Sequence, residues 1–324
     1  MQPAIVEALA CPHEHDGLTL ERRVLGCSSG HRFDLAKQGY ATLIRRPLAH
    51  GGDPAPLIAR RLRVREAGLL DALHDAVVDA ARSAATTPDP DDEPDQPAGP
   101  PRPQAPPRPA GQPGPPGPPG GLAHPPGIVC DVGSGPGTYL AAVLDVLPDE
   151  VGLAIDASRA AARRAARCHP RAEAVVADVW DGLPVRTGTA WLLLDIFAPR
   201  NLQEFARVLA PGGHLLVMIP ARAHLAELRT AFDLLDIEHA KQERLLGQLA
   251  QLPGLFETAG SRRVTAPVTV TPAEAADLVG MGASGHHLDD VTLERQARKL
   301  PARTQVTLDV TLHQLVRTGA AAPQ

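Results

Sequence analysis

Five short apolar runs recur along the second half of the chain: IVCDV (128–132), VGLAI (151–155), AEAVVA (172–177), AWLLLDIF (190–197) and HLLVMIP (214–220). Strands of a parallel sheet covered on both faces read this way, because neither face needs polar residues. Between the runs, apolar positions shift to a helical period over Tyr139–Leu147, Ser158–Cys168, Leu202–Leu209 and His224–Leu235. This alternation predicts a βαβ series and a doubly wound, Rossmann-like α/β fold. Farther on, Thr271-Pro272-Ala273-Glu274 has the form of a capping box with proline at the first helical position. The alternating stretch TQVTLDVTLHQLV (304–316) predicts a strand that pairs with RRVTAPVTV (262–270).

The first half is organised differently. A short cysteine- and histidine-bearing region is followed by a helix-like stretch over Leu57–Ala81, and from 83 to 126 proline, glycine and acids replace almost everything that could be buried. Such a segment cannot offset its ordering entropy and predicts an extended, mobile linker. Four parts follow: residues 1–50, a connecting helical region over 51–82, the linker over 83–126, and the α/β domain over 127–318. With 324 residues, 44% of them apolar, the chain can bury a sizeable core. No apolar window is long enough to span a membrane, and MQPAIVEALACP lacks the basic flank and cleavage pattern of a signal peptide, so a cytoplasmic protein is expected.

The net charge of −5 conceals an asymmetry. Residues 22–65 carry ten Lys or Arg against only Asp34 and Asp53, which makes that segment +8 and leaves −13 for the remainder. The cluster at Arg60, Arg61, Arg63 and Arg65, with Arg45 and Arg46, reads as a phosphate-binding surface ahead of a merely solvated face. Four cysteines are too sparse for a disulfide scaffold, and the pair Cys11 and Cys27 lies in a pattern, CPHEH followed by CSSGH, that has the look of a metal site.

After IVCDV the chain enters Gly133-Ser134-Gly135-Pro136-Gly137-Thr138, where glycines permit a tight turn and close approach of a ligand at the carboxyl end of a strand. The dinucleotide fingerprint wants glycine or alanine where Thr138 stands, which disfavours a nicotinamide enzyme. Asp131 precedes the loop, Asp156 ends the second strand and Asp178 follows the third. The D-x-G-x-G-x-G loop matches that of S-adenosylmethionine-dependent methyltransferases, with Asp156 placed for ribose hydroxyls and Asp178 beside adenine.

On HRFDLAKQGY (31–40), ADVWDGLPVR (177–186), IFAPRN (196–201), PGGHLLVMIP (211–220) and HLAEL (224–228), the chain resembles the bacterial 23S rRNA guanine-N1 methyltransferases, the family that includes the tylosin-resistance methyltransferase. The resemblance implies a small zinc-ribbon-like, RNA-recognising domain ahead of the methyltransferase domain, and two cofactors, S-adenosylmethionine and Zn2+. It implies that Gly133, Gly135, Gly137, Thr138, Tyr139, Asp156, Asp178 and His224 hold the methyl donor. For zinc it implies Cys11, Cys27 and His31, while the family's second cysteine is replaced by Glu14. Among Glu14, His13 and His15 as the fourth ligand we favour His15, since imidazole is the stronger zinc partner. If the site has degenerated, Phe33 and Tyr40 alone must hold the region. Where the family's linker helix supplies a tyrosine, this chain is apolar near Leu70, and where a late aromatic is common it offers His286.

Guanine N1 lies on the Watson–Crick edge, so its methylation requires a hairpin loop or an extruded base. Arg200 or Asn201 could bind O6 and Asp195 could accept the N1 proton, but a buried or solvent-facing aspartate is the favoured reading of Asp195, which leaves the catalytic base unassigned. The implied partner is a 23S rRNA hairpin, with no membrane partner and a homodimer left open; the implied consequence is macrolide resistance. A small-molecule methyltransferase and a catalytically inactive RNA-binding protein stand as the alternatives.

Overall fold

The structure is a computed structural model that describes residues 1–48, 51–86, 124–234, 240–282, 285 and 287–319. Its elements in chain order are α1 (Pro3–Ala8), β1 (Thr19–Glu21), β2 (Val24–Gly26), β3 (Arg32–Asp34), β4 (Ala41–Thr42), α2 (Ala55–Glu66), α3 (Asp71–Ala85) and β5 (Ile128–Val132). There follow α4 (Thr138–Val146), β6 (Gly152–Asp156), α5 (Arg159–Ala165), β7 (Ala172–Val176), β8 (Ala190–Ile196), α6 (Leu202–Val208) and β9 (Leu209–Pro220). The chain closes with α7 (Ala226–Phe232), α8 (Ala240–Ala250), β10 (Phe256–Val270), α9 (Pro272–Gly280), α10 (Asp290–Ala297) and β11 (Thr304–Arg317).

One sheet of eight strands, ordered β10-β11-β9-β8-β5-β6-β7-β4, carries the molecule. The block from β9 to β4 is parallel, and β11 runs antiparallel between β9 and β10. The order reverses between β5, β6 and β8, which is the switch point where doubly wound sheets open a crevice at their carboxyl ends. The expected pairing of the last two strands is present, with Arg262 opposite Leu312 and Val270 opposite Thr304.

The apolar runs are continuous because successive residues feed two different cores. Val129, Leu192, Leu194, Leu216 and Met218 face a layer closed by α3, α4 and α9. Their neighbours Cys130, Leu193, Leu215 and Val217 face a second layer closed by Phe205 of α6 and by Ile5, Leu9 and Leu25 from the N-terminus. The N-terminal region thus shares a core with the sheet. Its three-stranded sheet β1-β2-β3 stands apart, but β4 extends the large sheet by pairing parallel to β7.

The helix expected over Leu57–Ala81 is two helices, broken at Gly68, whose φ of +70° is a left-handed conformation that ends α2. The second, α3, buries Leu73, Ala76, Val77, Ala80, Ala81 and Ala84, a stripe at i, i+3, i+4, i+7, i+8 and i+11. It runs to Ala85, past the start expected for the linker; residues 87–123 of that segment lie outside the described residues. The capping box at Thr271 is formed in both directions: Thr271 Oγ1 accepts from Glu274 N, and Thr271 N donates to Glu274 Oε2 at 2.7 Å.

Six of the ten basic residues of the 22–65 segment are held in ion pairs. Arg60 Nη1 and Arg63 Nη2 both reach Asp277 Oδ1, at 2.7 and 2.6 Å, and Arg60 Nη2 reaches Asp290 at 2.7 Å. Arg61 pairs with Asp53, Arg65 with Asp71, and Arg45 and Arg46 with Asp181. Arg60 and Arg63 therefore clamp α2 to α9 and α10, and Arg61 and Arg65 are held by Asp53 and Asp71, instead of forming a free phosphate surface. Asp277→Ala removes the carboxylate shared by Arg60 and Arg63, leaving the mostly buried Arg60 with Asp290 alone, and should lower stability by about 2 kcal/mol, measured as a shift in urea midpoint at constant slope. An unchanged midpoint would show that solvent replaces the carboxylate without cost.

Candidate functional site

Along the carboxyl ends of β5, β6, β7 and β8 lies one cavity of about 1180 Å³. Gly133, Gly135, Thr138, Tyr139, Asp156, Asp178 and His224 all line it, so seven of the eight residues expected to hold the methyl donor converge there. Gly137 is the eighth and sits behind the loop, where a Cβ would come within 2.8 Å of Cys168 Sγ. Gly133, Gly135 and Gly137 all have positive φ, and a Cβ on Gly133 would lie 2.5 Å from Cβ of Ala198. The turn thus needs glycine both for its backbone and for its packing against the end of β8.

Asp156 shapes the loop from the neighbouring strand. Its Oδ2 accepts from Gly135 N at 2.8 Å and its Oδ1 from Ser158 N at 2.7 Å, while burial raises its pKa against the pull of those two amides and of Arg61. Asp178 Oδ1 accepts from Trp180 N at 3.0 Å, and the Trp180 ring beside it is 64% exposed at the cavity wall.

The floor is Asp131. Its carboxyl is buried, Oδ2 has no hydrogen-bond partner, and its pKa is pushed up to about 8, first by burial and then by the charge of Asp156. The buried Tyr139 hydroxyl beside it is likewise without a partner. Orphaned polar groups in a cavity of this size signal a ligand that completes them. A carboxylate asks for a cation, and the ammonium of a methionyl group meets that demand together with a hydrogen-bonding partner for Tyr139.

Near Leu70, the position read as apolar, α3 contributes a polar residue that sequence reasoning missed. His74 stacks on Tyr139 with ring centroids 4.0 Å apart and planes at 5°, and its Nε2 lies 3.3 Å from Thr138 Oγ1. Burial lowers its pKa to about 4, so the ring is neutral. The available signal was a histidine inside an otherwise apolar helix stripe. His224 is placed by the last strand: its Nδ1 accepts from Asp309 N at 3.2 Å, and Asp309 Oδ2 accepts from Ala223 N at 3.0 Å. His286 lies outside the described residues.

At the other end of the molecule, ligand atoms of Cys11, Cys27 and His31 lie within 4.8 Å of one another, the only such group among the described residues. Backbone amides of Glu14 and His13 donate to the Cys11 sulfur, and those of His31 and Ser29 to Cys27. Burial raises the Cys11 thiol; at Cys27 burial acts the same way, but hydrogen bonds from His31 and these amides outweigh it and bring that thiol down. Two sulfurs cradled by amides beside an imidazole suit a thiolate-bound Zn2+. His15 is not brought to the set. It is exposed, and its φ of +60° follows a turn in which its N–H donates to Cys11 O at 2.9 Å. His13 stacks on His31 at 4.5 Å, beside the set but not grouped with its ligand atoms, and both His13 and Glu14 are exposed.

This strand order, with the glycine loop and strand-end acids around one cavity, defines an S-adenosylmethionine-dependent methyltransferase of the Rossmann-like kind. Residues 9–47 match the zinc-ribbon family described as RlmA, N-terminal. The chain is 38% identical over 311 residues to the 23S rRNA (guanine(748)-N(1))-methyltransferase of Streptomyces fradiae, covering 96% of this chain and 97% of that protein. It is also 38% identical over 319 residues to a Micromonospora griseorubida protein provisionally named 23S rRNA (guanine-N(1)-)-methyltransferase, covering 96% and 98%. The chain belongs to the 23S rRNA guanine-N1 methyltransferase family.

Proposed function

We propose that this chain methylates N1 of one guanine in a 23S rRNA hairpin, acting in the cytoplasm and lowering sensitivity to tylosin-type macrolides. The observation that carries the reading is similarity across 96% of the chain, ribbon and α/β domain together, to a protein named for that reaction. A small-molecule methyltransferase has no use for the ribbon.

S-adenosylmethionine, when bound, supplies an electrophilic methyl carbon. The chain's own residues do the rest. Asp131 and Tyr139 hold the ammonium end, Arg61 or Arg65 at the cavity wall serves the carboxylate, and Asp156 and Asp178 serve the ribose and adenine. Thr138, locked to His74, keeps the first turn of α4 against the loop. Holding both reactants in register supplies much of the rate, because the entropic cost of their encounter is met on binding. Cys11, Cys27 and His31 hold the ribbon's zinc, and Arg22, Arg32 and Lys37 around it remain for phosphate contact, since no ion pair engages them among the described residues.

Primer extension on 23S rRNA from cells with and without the protein tests this reading. An N1-methyl blocks base pairing, so one new stop at a guanine is expected only with the protein present. Extension profiles that match throughout would overturn it.

A further inference from the structure

The residues above account for the methyl donor and leave the target base without a place. The stretch of cavity wall that abuts the glycine loop is formed by the end of β8 and the turn after it, residues 196–200. Phe197 in that turn has φ of +56°, a conformation that a bulky L residue rarely adopts, and its side chain is nonetheless 42% exposed. Its ring lies 5.9 Å from that of His224, tilted by 34°. Phe197 N donates to Met218 O at 3.1 Å, and the next residue, Ala198, packs on Gly133, so the strained turn is fixed against the loop that cradles the donor. An exposed aromatic held in a strained backbone contributes little to a core. Strain of this kind persists where the position of the side chain matters for function.

Three residues on, Arg200 also lines the cavity. Its Nε donates to Asp195 Oδ2, and Asp195 is fully buried with its other oxygen unpartnered. The buried carboxylate fixes the guanidinium by one edge. Its Nη groups have no protein partner among the described residues. A guanidinium donates and never accepts, so it matches the O6 acceptor of guanine and mismatches the amino group that adenine carries there.

Resting on the methyltransferase reading, we propose that Phe197, buttressed by His224, is the platform on which the extruded target guanine stacks, and that Arg200, oriented by Asp195, recognises its O6. Phe197 and Arg200 would both touch the base; Asp195 is a positioning residue.

The decisive variant is Phe197→Gly, because glycine relieves the left-handed strain. It should fold with a thermal midpoint equal to or above that of the parent chain. Its kcat/KM for the RNA should fall roughly 5- to 150-fold, the range of one lost base stack, while its Kd for S-adenosylmethionine moves less than threefold. Phe197→Tyr, which keeps the ring, should restore most of the kcat/KM for the RNA that Phe197→Gly loses. Arg200→Met should cut kcat/KM for the RNA over a similar range without altering donor affinity. A Phe197→Gly chain that methylates RNA normally, or that loses donor affinity as steeply as turnover, overturns the proposal. A parent chain that marks no guanine sinks the methyltransferase reading itself, and that outcome is visible before any variant is made.

Discussion

A chain carrying Cys27→Ser should leave purification without zinc, whereas His15→Ala should keep one equivalent per chain. The structure brings Cys11, Cys27 and His31 together, with His31 Nδ1 3.7 Å from the first sulfur and 3.4 Å from the second, and leaves His15 exposed outside them. The ribbon has little else to hold it. Each of its three strands is three residues long, and Leu25 is their only fully buried side chain. Structural zinc supplies about 10–16 kcal/mol to isolated zinc fingers. Here the loss is smaller, since Leu9, Leu18 and Leu25 also pack into a core shared with the large sheet. Cys27→Ser should therefore lower the thermal midpoint and abolish RNA affinity while the α/β domain stays folded and takes up methyl donor. Metal emission spectroscopy on the two variants decides the ligand set, and a His15→Ala chain without zinc would return His15 to it.

The contrast between the two sites shows what a sequence makes legible. Buried parallel strands write themselves as unbroken apolar runs, and all five appear, with ends displaced by a few residues. The glycine loop and the strand-end acids were readable because each serves a local turn whose residue types are restricted. Partners distant in sequence were not. Arg60 and Arg63 look like a phosphate surface until Asp277, more than 200 positions later, is folded against them. Phe197 reads as one more apolar residue of a strand, because positive φ is written nowhere in its identity. His15 was favoured on ligand strength, yet the turn after Cys11 leaves it exposed and outside the group of Cys11, Cys27 and His31.

Uptake of S-adenosylmethionine near pH 7 should release up to one proton, and Asp131→Asn should abolish that release. Burial, reinforced by the charge of Asp156, raises the Asp131 carboxyl to about 8, with the Leu140 backbone opposing and Asp195 adding to it. An unfolded aspartate titrates at roughly 3.9, so between about pH 4 and 8 the folded chain without donor binds the extra proton. The stability this group contributes is accordingly full below about pH 4 and is lost as pH rises through about 8. Asp195, raised to about 7 mainly by burial, adds a slope of the same sign, which the parent and the Asp131→Asn chain share. Asparagine carries no charge at any pH, so Asp131→Asn should flatten the fall in thermal midpoint between pH 5 and 9. A bound ammonium reverses the balance by favouring the carboxylate, and below pH 8 it must displace the proton to do so. Donor affinity should then fall by up to tenfold for each pH unit below about 8 in the parent chain. Breaking the buried charge pair costs about 3 kcal/mol, so Asp131→Asn should bind the donor roughly a hundredfold more weakly, without that pH dependence. Calorimetry in two buffers of different ionisation enthalpy measures the proton directly. Identical heats in both at pH 7 would mean that Asp131 is already ionised before the donor arrives, and that the cation it waits for lies elsewhere in the cavity.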